Sequence, residues 1–268
     1  MSRIVAITGA AGNIGRKLSA HCVGLGWTLR RLDRSAMPGV IAADLLQYDD
    51  TWAASFAGVD AVIHLAGHGS QFGDWRMAQE NIDMTANVLR AARRHGARRV
   101  IFASSNWVMV GYRFAGVTIT PDLTPHPLTP YGMSKLAGER LGWDVAQQGV
   151  GFIAFRIGWN QPVPGNRPGP HMTMGRWGQQ MWLSDRDLCQ AHERAVLAEG
   201  VDFAVLNLMS DNPGMPWDIE TTKRVIGYAP QDGWTAELDE AKSAQEEMAR
   251  RSRALAADLE AQVMLSEW

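Results

Sequence analysis

Tyr131 and Lys135 stand four residues apart in Tyr131-Gly132-Met133-Ser134-Lys135. On a helix that spacing puts both side chains on one face. A tyrosine is a poor base at neutral pH, because its ordinary pKa is about 10. A lysine ammonium one turn away stabilises the phenolate and brings that value down. Ser105 follows the apolar run Val100-Ile101-Phe102-Ala103 and Ser104. A serine hydroxyl at a strand end can hold the substrate oxygen that loses its proton. Alone, a Tyr-x-x-x-Lys pair usually decorates a solvated helix face, so its chemistry depends on what the chain places beside it.

The N-terminal stretch supplies that setting. Arg3-Ile4-Val5-Ala6-Ile7 has the length and β-branched character of one buried strand. Thr8-Gly9-Ala10-Ala11-Gly12-Asn13-Ile14-Gly15 follows at once, and an amphipathic helix pattern runs over 16–25. Strand, glycine-rich turn and helix form the context of a dinucleotide-binding fingerprint. Gly9 allows the sharp turn, Gly12 the approach of a pyrophosphate, and Gly15 close packing of helix on strand. Asn13 and Ile14, within that turn, are expected cofactor contacts, and the helix N-terminus faces the phosphate charge. Asp33 ends the second strand, where a carboxylate accepts hydrogen bonds from the ribose hydroxyls of NAD and repels the 2′-phosphate of NADP. Arg34, next to it, can tolerate that phosphate. NAD is therefore the expected cofactor and NADP the alternative. Asp44 and Leu45 are placed for the adenine, although a turn aspartate has the same signature. Leu65, Ala66 and Gly67, where the fourth strand breaks, complete the expected cofactor lining, with Tyr131 and Lys135 at its far end, where the positive nicotinamide ring of NAD⁺ joins Lys135 in stabilising the phenolate.

These residues need a scaffold, and the periodicity describes one. Further strands are expected at 28–33, 40–42, 61–65, 99–103, 151–156 and 203–208. Helices are expected at 74–95, 131–148, 185–197, 217–226 and 237–265, with a short one capped by Asp50 or Thr51 and ending at Ala57. Alternating helices and apolar strands predict an α/β fold, a doubly wound (Rossmann) parallel sheet with a small C-terminal substrate lobe. The division expected is a dinucleotide-binding core with the Ser/Tyr/Lys trio over 1–158. A substrate-binding loop, small lobe and C-terminal helix packed on the core fill 159–268. Residues 160–178 hold four prolines and four glycines and read as one long loop, a length that is usually functional. The last helix is placed to pack on its own chain or on a second copy, so a homo-oligomer is a candidate assembly.

A chain of 268 residues with 46% hydrophobic and 20% charged residues can bury a sizeable core. A net charge of −2 argues against nucleic acid and anionic membrane surfaces as partners. With neither a signal pattern nor an apolar stretch near the ~20 residues of a membrane span, a cytoplasmic location is expected, with Cys22 and Cys189 reduced. The seven histidines are scattered, so no metal site is expected.

Gly9, Gly12, Gly15, Ser105, Tyr131 and Lys135 together resemble the extended branch of the short-chain dehydrogenase/reductase superfamily over nearly the whole chain. Phe102-Ala103-Ser104-Ser105-Asn106, Tyr131 to Lys135, Arg156-Ile157-Gly158 and Trp182-Leu183-Ser184-Asp185-Arg186-Asp187 look most like uronate dehydrogenase and related sugar C1-dehydrogenases. The resemblance implies NAD⁺-dependent oxidation of C1 of a hexuronic acid to the lactone. It implies that Ser105 orients the hydroxyl and Tyr131 is the base. It implies that Lys135 binds the nicotinamide ribose and tunes Tyr131, and that Asn106 bonds to the sugar. Ser70 and Trp107 join the expected sugar contacts, and Trp107 stands where that family tends to carry histidine. The segment 160–182 is longer than the resemblance leads one to expect, and it carries Arg167, His171, Arg176, Trp177 and Trp182. It is expected to meet the far end of the sugar. Arg176, then Arg167 and His171, would hold an acidic group at C6: a carboxylate, or a sulfonate or phosphate as in sulfoquinovose. Trp107, Trp177 and Trp182 are candidates for stacking. Two alternatives stand beside this reading. One is a sugar-nucleotide epimerase or dehydratase that recycles its NAD, disfavoured by the short C-terminal part. The other is a non-catalytic dinucleotide-sensing binder, disfavoured by the intact Ser105, Tyr131 and Lys135.

Overall fold

The computed structural model describes residues 2–162 and 165–266. The aliphatic runs form a seven-stranded sheet of β1 (Ile4–Thr8), β2 (Thr28–Asp33), β3 (Ile41–Ala42), β4 (Ala61–His64), β5 (Arg99–Ser105), β6 (Gly151–Ile157) and β7 (Phe203–Leu208). The spatial order is β3-β2-β1-β4-β5-β6-β7, and every pairing is parallel. The order reverses at β1, which pairs with β2 through Ile4↔Thr28 and with β4 through Val5↔Ala61. Ligands of such sheets bind beyond the carboxyl ends of the strands at that reversal.

Strand alternation sends side chains to two cores. Val5, Ile7, Ile63, Ile101, Ile153 and Phe155 pack with Leu18 of α1 (Asn13–Gly24) and Leu188 of α6 (Asp185–Leu197). Ala6, Val62, Val100, Phe102 and Phe152 pack on the other face with Val88 and Leu89 of α3 (Trp75–Arg94). Coverage of both faces explains why the central strands are apolar throughout. A third apolar cluster joins Val108, Met109 and Ile119 to Trp177, Met181, Met209 and Trp217, beyond the strand ends. The remaining helices are α2 (Asp50–Ala53), α4 (Pro130–Gln147), α5 (Gly175–Gln180), α7 (Glu220–Ile226) and α8 (Glu240–Ser266).

Several boundaries differ from expectation. Asp49, not Asp50 or Thr51, caps α2 by accepting from Thr51 N at 2.7 Å. The α-helix stops at Ala53 and tightens into a 3-10 turn, Ala54–Phe56. The expected loop 160–178 is interrupted by α5, which its glycines conceal: Gly175 and Gly178 lie inside the helix, and Met174 precedes it with φ 66°. α7 begins at Glu220 rather than 217, because the Asp218 carboxylate takes Glu220 N at 2.9 Å as the chain turns. α8 meets the body through its first three turns. Glu246 accepts from Arg176 N at 2.8 Å, and Arg250 lies 5.3 Å from the Phe114 ring. Residues 251–258 are exposed, with Leu255 at 61%, so these residues do not pack on the core.

Candidate functional site

β1 ends in the glycine turn. Gly9 has φ +70°, and a Cβ there would lie 2.8 Å from Ala66 N. A Cβ on Gly15 would lie 2.2 Å from Gly9 O, so α1 docks against the turn only because that residue is glycine. Gly12 precedes α1 without any side-chain cap, which leaves the first amides, at Asn13 and Ile14, for an anion. Asp33 holds the turn in shape: its carboxylate accepts from Ala11 N and Ser35 N, each at 2.9 Å.

Around this turn lies one long cleft in two connected parts. A space of about 220 Å³ is lined by Asp33, Arg34, Asp44, Leu45, Ala66 and Met84, among others. A larger one of about 450 Å³ is lined by Asn13, Ile14, Gly15, Ser105, Asn106, Trp107, Tyr131 and Lys135, among others. Gly9, Gly12, Leu65, Gly67 and His68 border both. A pocket beside a strand-end carboxylate, a side-chain-free turn and a second pocket are the three spaces a dinucleotide fills. The residues present fit that group.

The inner end is built by β5 and α4. Ser105 closes β5, and its hydroxyl accepts from Trp107 N at 3.2 Å, capping a 3-10 stretch, Asn106–Tyr112. Thr129 caps α4 by accepting from Gly132 N at 3.1 Å, with Pro130 in the first turn. A Cβ on Gly132 would lie 2.6 Å from Trp107 O, so α4 seats directly on that stretch and brings Tyr131 to Ser105. Lys135 Nζ lies 5.6 Å from the centre of the Tyr131 ring and 5.1 Å from that of Phe102. Asn81 of α3 takes His68 N at 2.7 Å and donates to Ser134 Oγ at 3.3 Å, tying the loop after β4 to α4.

Burial governs the charges here. It raises the Tyr131 phenol above its usual value, against a hydrogen bond from Ser105 that favours the anion. It lowers the Lys135 ammonium to about 8. These are the values without the nicotinamide, whose positive ring is expected to act together with Lys135 in bringing Tyr131 down. His64, at the end of β4, is pushed down to about 3 by burial and by the Lys135 charge. It stays neutral between Thr8 Oγ1 at 2.8 Å and Thr85 Oγ1 at 3.2 Å.

The expected sugar residues divide. Ser105, Asn106, Trp107 and Tyr131 line the cleft together. Asn106 receives Ser105 Oγ at 3.2 Å and contacts the Met181 sulfur. Ser70 does not join the lining, although Gly69 and Gln71 on either side do. Arg167, His171 and Arg176 are all exposed and outside it. His171 Nε2 lies 3.1 Å from Gln161 Oε1, and the Arg176 side chain turns to Glu246 on α8 at 3.8 Å. Trp177 and Trp182 are buried, the first 4.4 Å from Trp217 between ring centres and the second donating to Asn166 O at 3.1 Å.

Sequence reasoning missed His68, Gln71, Trp159, Asn160, Thr173, Met174 and Met181 as lining residues. His68 and Gln71 follow β4, and Trp159 and Asn160 follow β6, so the strand-end rule was a usable signal. For Thr173, Met174 and Met181 no local signal exists. Among the described residues no group of His, Cys, Asp and Glu could hold a metal ion. Both cysteines are free and buried, and burial raises each thiol to about 12. Among the described residues no helix is long and apolar enough to cross a membrane.

Comparison with known proteins agrees with this geometry. Residues 5–171 match the NAD dependent epimerase/dehydratase family. An L-arabinose 1-dehydrogenase (NAD(P)(+)) of Haloferax volcanii is 33% identical over 253 residues, covering 87% of this chain and 97% of that one. A uronate dehydrogenase of Pseudomonas putida is 33% identical over 238 residues, covering 84% of this chain and 83% of that one. The crystal structure of a mutant uronate dehydrogenase from Agrobacterium tumefaciens, complexed with NAD, superposes with a TM-score of 0.73 at 25% identity, covering 95% of this chain and 89% of that one. The chain therefore belongs to the NAD dependent epimerase/dehydratase family, as an NAD(P)-dependent enzyme of the extended short-chain dehydrogenase/reductase branch.

Proposed function

We propose that this protein oxidises the anomeric C1 hydroxyl of an aldose to the lactone, with NAD⁺ as oxidant. The observation that carries the reading is the convergence of Ser105, Tyr131 and Lys135 at the inner end of a cleft continuous with the dinucleotide half. In this reading residues 1–158 hold the cofactor and the trio, and 159–268 close the sugar end. Ser105 donates to or accepts from the C1 oxygen and fixes it beside Tyr131. Tyr131 Oη takes the hydroxyl proton as the C1–O bond becomes a carbonyl. When bound, the nicotinamide supplies the hydride acceptor for the hydrogen on C1. Lys135 would hold the nicotinamide ribose and favour the phenolate. The two curated relatives, named for C1 oxidation of L-arabinose and for uronate oxidation, support the reaction class.

An acidic C6 group, whether uronate, sulfonate or phosphate, is a finer reading. The uronate names favour it. The exposure of Arg167, His171 and Arg176 removes the partners it was expected to use. The test of the reaction is absorbance of NADH with a panel of aldoses and uronates, together with detection of the lactone. Sugar conversion without net NADH points instead to an internally recycling epimerase or dehydratase. NAD binding without turnover on any sugar leaves a dinucleotide-sensing binder.

A further inference from the structure

Among the described residues no unpaired cation lines the far end of the larger space. Among its described lining residues only Lys135 and His68 can carry positive charge. Lys135 lies at the inner end, beside Tyr131. His68 is paired, its Nε2 2.6 Å from Glu80 Oε2, and Arg76 holds the other oxygen of the same carboxylate at 3.0 Å. Two other cations touch residues of the wall without lining the space. Lys17 Nζ lies 2.8–2.9 Å from Asn160 Oδ1, Gln161 O and Asp185 Oδ1. Arg113 donates from Nη2 to Met174 O at 3.2 Å and lies over the Phe114 ring, with its Nε buried and unpartnered. What the cleft offers instead is neutral: the polar groups of Asn106, Gln71 and Thr173, the indoles of Trp107 and Trp159, and the thioethers of Met174 and Met181.

Uncharged donors and acceptors beside indole faces suit hydroxyls and ring C–H groups. A carboxylate, sulfonate or phosphate in the same place would lose its water without gaining a charged partner, which is costly. We infer that the sugar taken by this cleft carries no anionic group remote from C1, so that the substrate is a neutral pentose or hexose. This rests on the proposed C1 oxidation and narrows its substrate.

The test compares kcat/KM for NADH formation with L-arabinose, D-galactose and D-glucose against D-galacturonate and D-glucuronate. The best neutral sugar should exceed the best uronate by about tenfold or more. A uronate that equals or beats every neutral sugar overturns the inference while leaving C1 oxidation standing. Thr173→Arg, which puts a cation on the lining, should raise relative uronate use by about tenfold. Arg176→Ala should leave the neutral-to-acidic ratio unchanged; a loss selective for the uronates would return Arg176 to the site and overturn the inference. If no sugar yields NADH, the reaction assignment fails, and calorimetry of the same sugars with the NAD-loaded protein still decides: a tighter uronate, or no binding by any neutral sugar, overturns the inference.

Discussion

Arg156 grips Glu139 with two nitrogens, Nε and Nη2, each 2.9 Å from a separate carboxylate oxygen, and Ser104 Oγ donates to the same carboxylate at 2.6 Å. Both charged side chains are buried. Glu139 sits one turn beyond Lys135 on α4, Ser104 precedes Ser105 on β5, and Arg156 lies on β6. The pair thus joins the three elements that meet behind the inner end of the cleft. Glu139→Leu leaves a buried guanidinium uncompensated and should cost about 3–5 kcal/mol in denaturant unfolding. Adding Arg156→Met should return a large part of that loss. A single variant as stable as the wild type would mean that the pair contributes little.

Tyr131→Phe removes the hydroxyl assigned as base without changing the shape of α4. Turnover should fall by at least about 10²-fold. Cofactor affinity, measured by NADH fluorescence, should hold within about twofold, since the ring and Lys135 remain. Turnover near the wild-type level would remove Tyr131 from the reaction.

Asp33 has two tasks, because its carboxylate also accepts from Ala11 N and Ser35 N. Asp33→Ser keeps one acceptor and drops the charge. It should weaken NAD use by about tenfold and strengthen NADP use, with Arg34 on the same pocket wall to meet the phosphate. The kcat/KM ratio for the two cofactors reads this directly. A wild-type preference for NADP would show that Arg34 outweighs Asp33.

Acid should unfold the protein through buried neutral histidines. His192 is lowered to about 4, chiefly by burial, against its hydrogen bond to Leu188 O and with a further push from His21. Its folded value lies below its unfolded one. The unfolded chain therefore binds more protons between about pH 6.5 and 4, and stability falls as pH drops through that window. His64 adds the same sign down to about 3. His192→Phe should narrow the loss of stability between pH 7 and 4.5 by about 2 kcal/mol, measured by urea unfolding at both. An unchanged loss would mean that His192 titrates normally in the folded state.

What the sequence disclosed and what it hid follow from distance along the chain. Gly9 with Gly15, or Tyr131 with Lys135, are local patterns whose geometry is set within one turn or one helix. Strand ends follow from alternation, so Ser105 and Asp33 were placed without knowing the sheet order. Arg176 is the opposite case. Its direction is decided by Glu246, 70 residues later, which takes its backbone N–H at 2.8 Å. A loop arginine looks the same in sequence whether it faces a cleft or a distant helix. Met174 was hidden for a second reason: its positive φ, and glycines within α5, make a helical turn read as a continuing loop.

Lys17 belongs to the helix whose first amides border the phosphate turn, yet its ammonium holds Asn160, Gln161 and Asp185. Asn13, at the start of the same helix, donates to Asn160 O at 3.1 Å. Asn160 is also part of the wall of the larger space. One hydrogen-bonded piece thus runs from the phosphate turn to the wall of the larger space, and ordering it for one ligand orders it for the other. Binding of the two is then thermodynamically linked: NAD should tighten sugar binding by the same factor by which sugar tightens NAD. Calorimetric titrations in both orders measure that factor, and Lys17→Met should bring it toward one.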